Sequence, residues 1–172
     1  MCTHGSESGA SGRPLNFTVR PSLMARSAEL ETFVSRYSDE IAAQLRRARA
    51  ELRRRIPNGY ELVYDSHNAL IFAFGPTSKA SQLVISIAGY PKWVTLFFAK
   101  GAALEDPKGL LEGSGPAIRS VRLVPFEALK SKPVQALIKR ALAAQAATFK
   151  RAPPLTTVVK SISAKQRPRR PA

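Results

Sequence analysis

Cysteine is almost absent from this chain: Cys2 is the only one in 172 residues. A single thiol can form no intramolecular disulfide, and it supplies neither a two-cysteine redox spacing nor a thiolate metal site. Histidine is nearly as scarce, at two residues, and acids number 12 against 27 lysines and arginines. A hard-metal cage needs several oxygens converging on one ion, and scattered carboxylates do not supply it. Long apolar runs are missing as well. None approaches the roughly 18 residues of a membrane-spanning helix, and the N-terminal segment has no apolar centre of a secretory signal. The expectation is a cytoplasmic protein with no cofactor, no bound metal and no membrane partner.

What is present suffices for one ordinary core, since 44% of the residues are hydrophobic and the length leaves little for a second independent domain. The formal charge of +15 is unevenly placed. Residues 150–172 hold Lys150, Arg151, Lys160, Lys165, Arg167, Arg169 and Arg170 with no acid. A tail of this kind stays solvated or binds polyanions through charge alone, which makes Lys165, Arg167, Arg169 and Arg170 candidate nucleic-acid contacts. At the other end, residues 1–26 are Gly/Ser-rich and too poor in apolar groups to offset the entropy of ordering. Met24 stands just before the first helical pattern and reads as a candidate start; the alternative is a targeting segment over 13–27. The expected division is a disordered leader over 1–26, a folded domain over 27–150 and a basic, disordered tail over 151–172.

Within the domain, Leu30, Phe33, Val34, Tyr37, Ile41, Leu45, Ala48 and Leu52 recur every three or four residues, one stripe of a helical surface. Ser38 followed by Asp39 and Glu40 has the chemistry of an N-cap with acids in the first turn, so the stripe predicts two helices. Pro57-Asn58-Gly59 ends the second. Residues 61–65, 69–74, 83–88 and 93–98 are short, rich in β-branched and aromatic residues, and separated by turn dipeptides. With 118–123 they predict an antiparallel sheet of about five strands. A helix is expected from Pro133, in its first turn, through Phe149, and Pro153-Pro154 is expected to end all regular structure. The fold class is therefore α+β, with N- and C-terminal helices covering one face of the sheet.

Val94 to Leu123 reads as strand, shaped loop, strand: an apolar run, Gly101, Asp106-Pro107, Gly109-Leu110-Leu111, Gly113-Ser114-Gly115, then Arg119-x-x-Arg122. This order of elements and loop residues, over about 28–146, resembles the YdhG-like family of small bacterial domains of unknown function. The resemblance implies a small α+β sandwich similar to the frataxin-like architecture and, for one branch of the family, a role as an intracellular iron chaperone. The chain departs from that chemistry, because its acids are dispersed apart from Glu105, Asp106 and Glu112. Pro116 also stands where family members often carry lysine after Gly-x-Gly, which weakens an anion-binding role carried over to the loop.

Gly113-Ser114-Gly115 lacks the third glycine of a dinucleotide fingerprint and the Lys-Ser/Thr of a phosphate loop, so turn geometry is its favoured reading. The loop is nevertheless surrounded by Lys100, Lys108, Arg119 and Arg122, and free backbone N–H groups there could form an anion nest. Lys100, Gly113, Gly115, Arg119 and Arg122 are accordingly the candidate anion-binding residues. Asp65 and His67 fall on one face of a strand, a spacing that suits acid–base work, but with no nucleophile nearby a strand-end turn is favoured. Tyr90, Trp93, Phe97 and Phe98 suggest a base-stacking platform, against the commoner role of core aromatics. No nucleophile, base and orienting group occur together, so no catalytic residue is assigned. The functional expectation is a noncatalytic module binding a small anion, an iron carrier or a protein. The alternative is a nucleic-acid-associated protein that binds without sequence preference through its basic tail.

Overall fold

Ser38 divides the N-terminal apolar stripe. In the computed structural model, which describes residues 23–171, α1 spans Leu23–Val34 and α2 spans Asp39–Arg55. The Ser38 hydroxyl accepts the Ile41 N–H as an N-cap. Asp39 and Glu40 occupy the first turn of α2 and Arg53, Arg54 and Arg55 the last, the arrangement that complements the helix dipole at both ends. All eight residues of the predicted stripe are buried. The expected leader divides at residue 23: residues 1–22 lie outside the described residues, whereas 23–26 belong to the first turns of α1 rather than to a disordered segment.

Five strands follow, β1 (Tyr60–Asp65), β2 (Leu70–Gly75), β3 (Ile85–Gly89), β4 (Val94–Phe98) and β5 (Arg119–Leu123), each paired antiparallel to the next. The register aligns Val63, Phe72, Ile87, Leu96 and Val121 in one continuous cross-strand row. All five are buried in the core shared with the helices, because alternate residues of a strand point to the same face. Helix α2 lies over β3 and β4, and its approach depends on Gly89, where a Cβ would stand 2.5 Å from a Leu45 methyl. Tyr37, at the junction of α1 and α2, is fully buried; its hydroxyl donates to Gly89 O and accepts from Leu70 N, fastening that junction to β2 and β3.

After a 3-10 turn at Phe126–Lys130, Ser131 caps α3 (Lys132–Ala143), with Pro133 in its first turn. Val134, Leu137, Ile138 and Ala141 complete the core from this helix. The helix expected to run through Phe149 instead breaks, and a short α4 (Ala146–Arg151) follows. Among the described residues no helix is long and apolar enough to cross a membrane.

The sheet differs from the expected antiparallel five strands. It is mixed and has six, in the order β5-β4-β3-β2-β1-β6. The sixth, β6 (Thr156–Ile162), pairs parallel with β1. Residues 151–172 were expected to be a disordered tail, and Pro153-Pro154 to terminate regular structure. The two prolines instead lie in the crossover, where a missing N–H costs nothing: Gly59 N donates to Pro153 O at 2.7 Å and Leu155 N to Pro57 O at 2.9 Å. The β-branched run Thr156-Thr157-Val158-Val159 then enters the sheet edge, in keeping with its strand propensity.

A chain ending at Lys150 should therefore be markedly less stable than the full chain. It loses the parallel ladder and an arginine bound to a buried acid on β1, and breaking a buried ion pair costs about 3 kcal/mol or more. A solvated tail would change stability by under about 0.5 kcal/mol. Urea denaturation of the two chains distinguishes the outcomes, and equal midpoints would show that β6 contributes no stability.

Candidate functional site

Strand β1 turns Glu61 and Asp65 toward the helices, on the same side as Val63. Both carboxylates are buried. Glu61 receives a two-pronged contact from Arg49 (2.7 and 2.9 Å), a bond from Arg53 at 2.5 Å and the Thr157 hydroxyl at 2.6 Å. Asp65 accepts from Arg36 at 2.7 Å and from Arg169 at 2.9 Å. Burial alone pushes the Glu61 carboxyl up, but the bonds and charge of Arg49, the Thr157 hydroxyl and the Arg53 charge together hold it below the ordinary 4.5. Burial pushes the Tyr37 phenol upward. Shifted groups often mark active sites, yet structural ion-pair networks shift them too. Here both carboxylates are surrounded by donors beneath the helices, which describes a fastening, not a reaction centre.

The tail candidates divide. Arg169 is 4% exposed, and besides Asp65 it bonds Ser66 O and lies over the Tyr37 ring. Arg170 donates to Tyr37 O. Lys165 and Arg167 keep exposed side chains, although their backbones are held by His67: its Nδ1 donates to Lys165 O at 2.9 Å, and its carbonyl accepts from Arg167 N. The Asp65 carboxylate is bonded by Arg36 and Arg169, and no hydrogen bond joins it to His67, so the two form no acid–base pair.

The glycine-rich loop is ordered and uses its own polar groups. Glu112 and Ser120 exchange both backbone bonds, and the Asp106 carboxylate accepts from Leu110 N and Leu111 N. Gly113 has φ +131°, a left-handed conformation that favours glycine. Gly101 is required by close approach, since a Cβ there would lie 2.4 Å from Arg119 Cβ. Arg119 folds back to donate to Gly115 O and Ile118 O. Arg122, three residues on, points to the opposite face of β5 and covers the Trp93 ring at 4.3 Å. The structure thus does not bring Arg119 and Arg122 together, and Gly113 and Gly115 shape a turn beside the first. Lys108 is exposed on the same loop. The aromatic candidates also separate: Tyr90 and Trp93 sit 5.7 Å apart, Phe98 is core, and Phe97 faces the other side of β4.

Lys100 is the anion candidate that reaches a cavity. A partly open cavity of about 280 Å³ lies where the ends of β3 and β4 meet α3 and the start of α4. Leu83, Val84, Phe98, Leu104 and Ala141 form apolar walls, and Ser81, Gln82, Gln145 and Thr148 supply hydroxyl and amide groups. Lys100 is exposed and pairs with no acid among the described residues. The lining holds no imidazole, thiol or carboxylate. Its chemistry is that of a pocket able to bury an apolar body and hold one negative group. No local sequence pattern announces this cavity, because its walls come from four separated parts of the sequence.

No family model, curated protein or solved structure matches this chain.

The Glu61 network predicts a specific pH dependence. A carboxyl whose folded value lies below its unfolded one contributes stability that is complete above about pH 4.5 and lost as pH falls through the folded value. Glu61→Gln should cost about 3 kcal/mol at neutral pH, and the gap from wild type should narrow on acidification below about pH 4.5. Urea denaturation from neutral to acid pH measures it; a gap that does not change with pH would contradict the assignment.

Proposed function

We propose that this protein is a noncatalytic binding module for a small amphipathic anion, held in the cavity beside Lys100. The observation that carries this reading is an ammonium without an acidic partner among the described residues, at the edge of an otherwise largely apolar cavity. A charge-assisted bond from Lys100 would fix the anionic group, while Leu83, Val84, Phe98 and Leu104 would bury a short acyl chain or an aromatic ring. At about 280 Å³ the cavity sits near the lower end of ligand-sized pockets, so the ligand class is a small carboxylate or phosphate ester. Gln145 and Thr148 would supply orienting hydrogen bonds.

The loop order described above supports a YdhG-like relationship, and a module of that kind fits this reading. The iron-carrier role that the resemblance implies has less support. Asp106 is occupied by two backbone N–H groups and Glu105 leans toward Arg140. Among the described residues no three metal-ligating side chains stand together. An organic anion is therefore the preferred ligand.

Octanoate and phenylpropionate, examined by ligand-observed NMR, should bind the full chain, and the corresponding neutral amides should bind more weakly. Lys100→Ala should lower carboxylate affinity about tenfold, the size of a lost charge-assisted bond. Ala144→Trp, which fills the cavity from an exposed wall position, should abolish binding. Equal binding of acid and amide, unaffected by Lys100→Ala, would refute the reading.

A further inference from the structure

A second surface, distinct from the Lys100 cavity, is built by α3 and α4. From Phe126 to Arg151 the chain carries Lys130, Lys132, Lys139, Arg140, Lys150 and Arg151 against one acid, Glu127. The fold gathers most of these cations. Lys132 and Lys139 are two turns apart on α3, about 10 Å along one exposed ridge at 1.5 Å per residue, with Ala136 and Ala143 on the same stripe. A cleft lies on either side. One, of about 530 Å³, is lined by Arg55, Lys139 and Lys150 over an apolar floor that includes Leu142 and Phe149. The other, of about 240 Å³, is lined by Lys108, Lys132 and Arg140.

The single carboxylate in the two linings is Asp106, already bonded to Leu110 N and Leu111 N. Arg55 pairs with Glu51, and Arg140 stands 3.9 Å from Glu105. Lys108, Lys132, Lys139 and Lys150 pair with no acid among the described residues. Four ammonium groups left together repel one another, and a polyanion relieves that repulsion.

We infer that this ridge and its two clefts bind nucleic acid through the phosphate backbone. Each strand of a duplex presents a phosphate about every 3.4 Å along its axis, so a ridge of this length spans several. A lipid surface fits less well, because membrane-lying helices insert large apolar side chains beside their cations. The ridge offers only alanine, and the exposed large apolar residues Met24, Ile118, Val124 and Ile162 lie elsewhere. The C-terminal cations are not the main carriers, since Arg169 and Arg170 are engaged with Asp65 and Tyr37.

The test uses the full chain with a fluorescein-labelled 20-nucleotide single strand and a duplex of the same length, read by anisotropy between about 50 and 200 mM salt. Binding is expected to at least one of them, without sequence preference and weakening steeply with salt. Lys132→Ala, Lys139→Ala and Lys150→Ala combined should reduce affinity at least tenfold and make the logarithmic salt slope shallower by about 2 to 3, because three phosphate contacts are lost. The matching triple arginine variant should retain binding, and Lys165→Ala with Arg167→Ala should change it less than twofold. Thermal melts of each variant separate lost contacts from lost folding. Absent binding at low salt, a slope unchanged by the folded triple alanine variant, or loss on changing Lys165 and Arg167 would each overturn the inference. So would capture by phosphatidylserine vesicles but by neither nucleic acid, which would make the partner a lipid surface.

Discussion

Two buried carboxylates on one strand organise this fold. Glu61 and Asp65 stand on β1, and each is neutralised by two arginines that reach it from different parts of the chain: Arg49 and Arg53 from α2, Arg36 from the α1–α2 junction, and Arg169 from beyond β6. A buried pair gains little over a well-packed apolar alternative, but removing one partner leaves an uncompensated charge. Its main effect here is on arrangement. The observed placement of α2 and the C-terminal segment brings donors to both acids at once. The register of β6 against β1 puts Thr157 directly beside Glu61, so its hydroxyl completes that set. Val159 takes the position beside Val63, where it packs against the core.

The same network divides the positive charge by residue type. The cations that enter the fold to hold buried acids are arginines, whose planar guanidinium can bond two oxygens at once and is less costly to desolvate than an ammonium. Lysines remain outside, as at Lys132, Lys139 and Lys150, all exposed. The formal +15 is thus the sum of two different things: an inward set consumed by structure, and an outward set that gives the helical layer its field. A count of tail charges merges them. It treats Arg169, among the most buried polar residues, as equivalent to the exposed Lys165.

Local periodicity explains what was legible. The helical stripe from Leu30 to Leu52 and five strands separated by turn residues could be read directly, because each is a pattern within a few adjacent residues. β6 could not, although Thr156 to Val159 has strand chemistry, because its pairing partner lies about a hundred residues earlier and its crossover contains two prolines. The anion candidates failed to converge for a reason that was available: Arg119 and Arg122 are three apart, and in a strand an odd separation means opposite faces. The Lys100 cavity was out of reach, since Leu83, Phe98, Leu104 and Ala141 become neighbours only once the sheet and α3 have packed.

The segment from Ala143 to Phe149 connects the two proposed sites. Ala144, Gln145 and Thr148 line the Lys100 cavity, whereas Ala143, Ala146 and Phe149 line the larger basic cleft. Neighbouring side chains around the break between α3 and α4 therefore form walls of both. Its anchorage rests mainly on one side chain: α4 has only six residues and none of them is fully buried, and the half-buried Phe149 packs against the core beside Gly59, the residue just ahead of β1. A ligand that favoured one position of this segment would change the setting of Lys150, and an anion bound at Lys150 would change the cavity by the same free energy, because linkage between binding sites is reciprocal. Coupling of that kind needs no long path. It requires that the short helix shared by both walls have two positions that each ligand binds with different affinity.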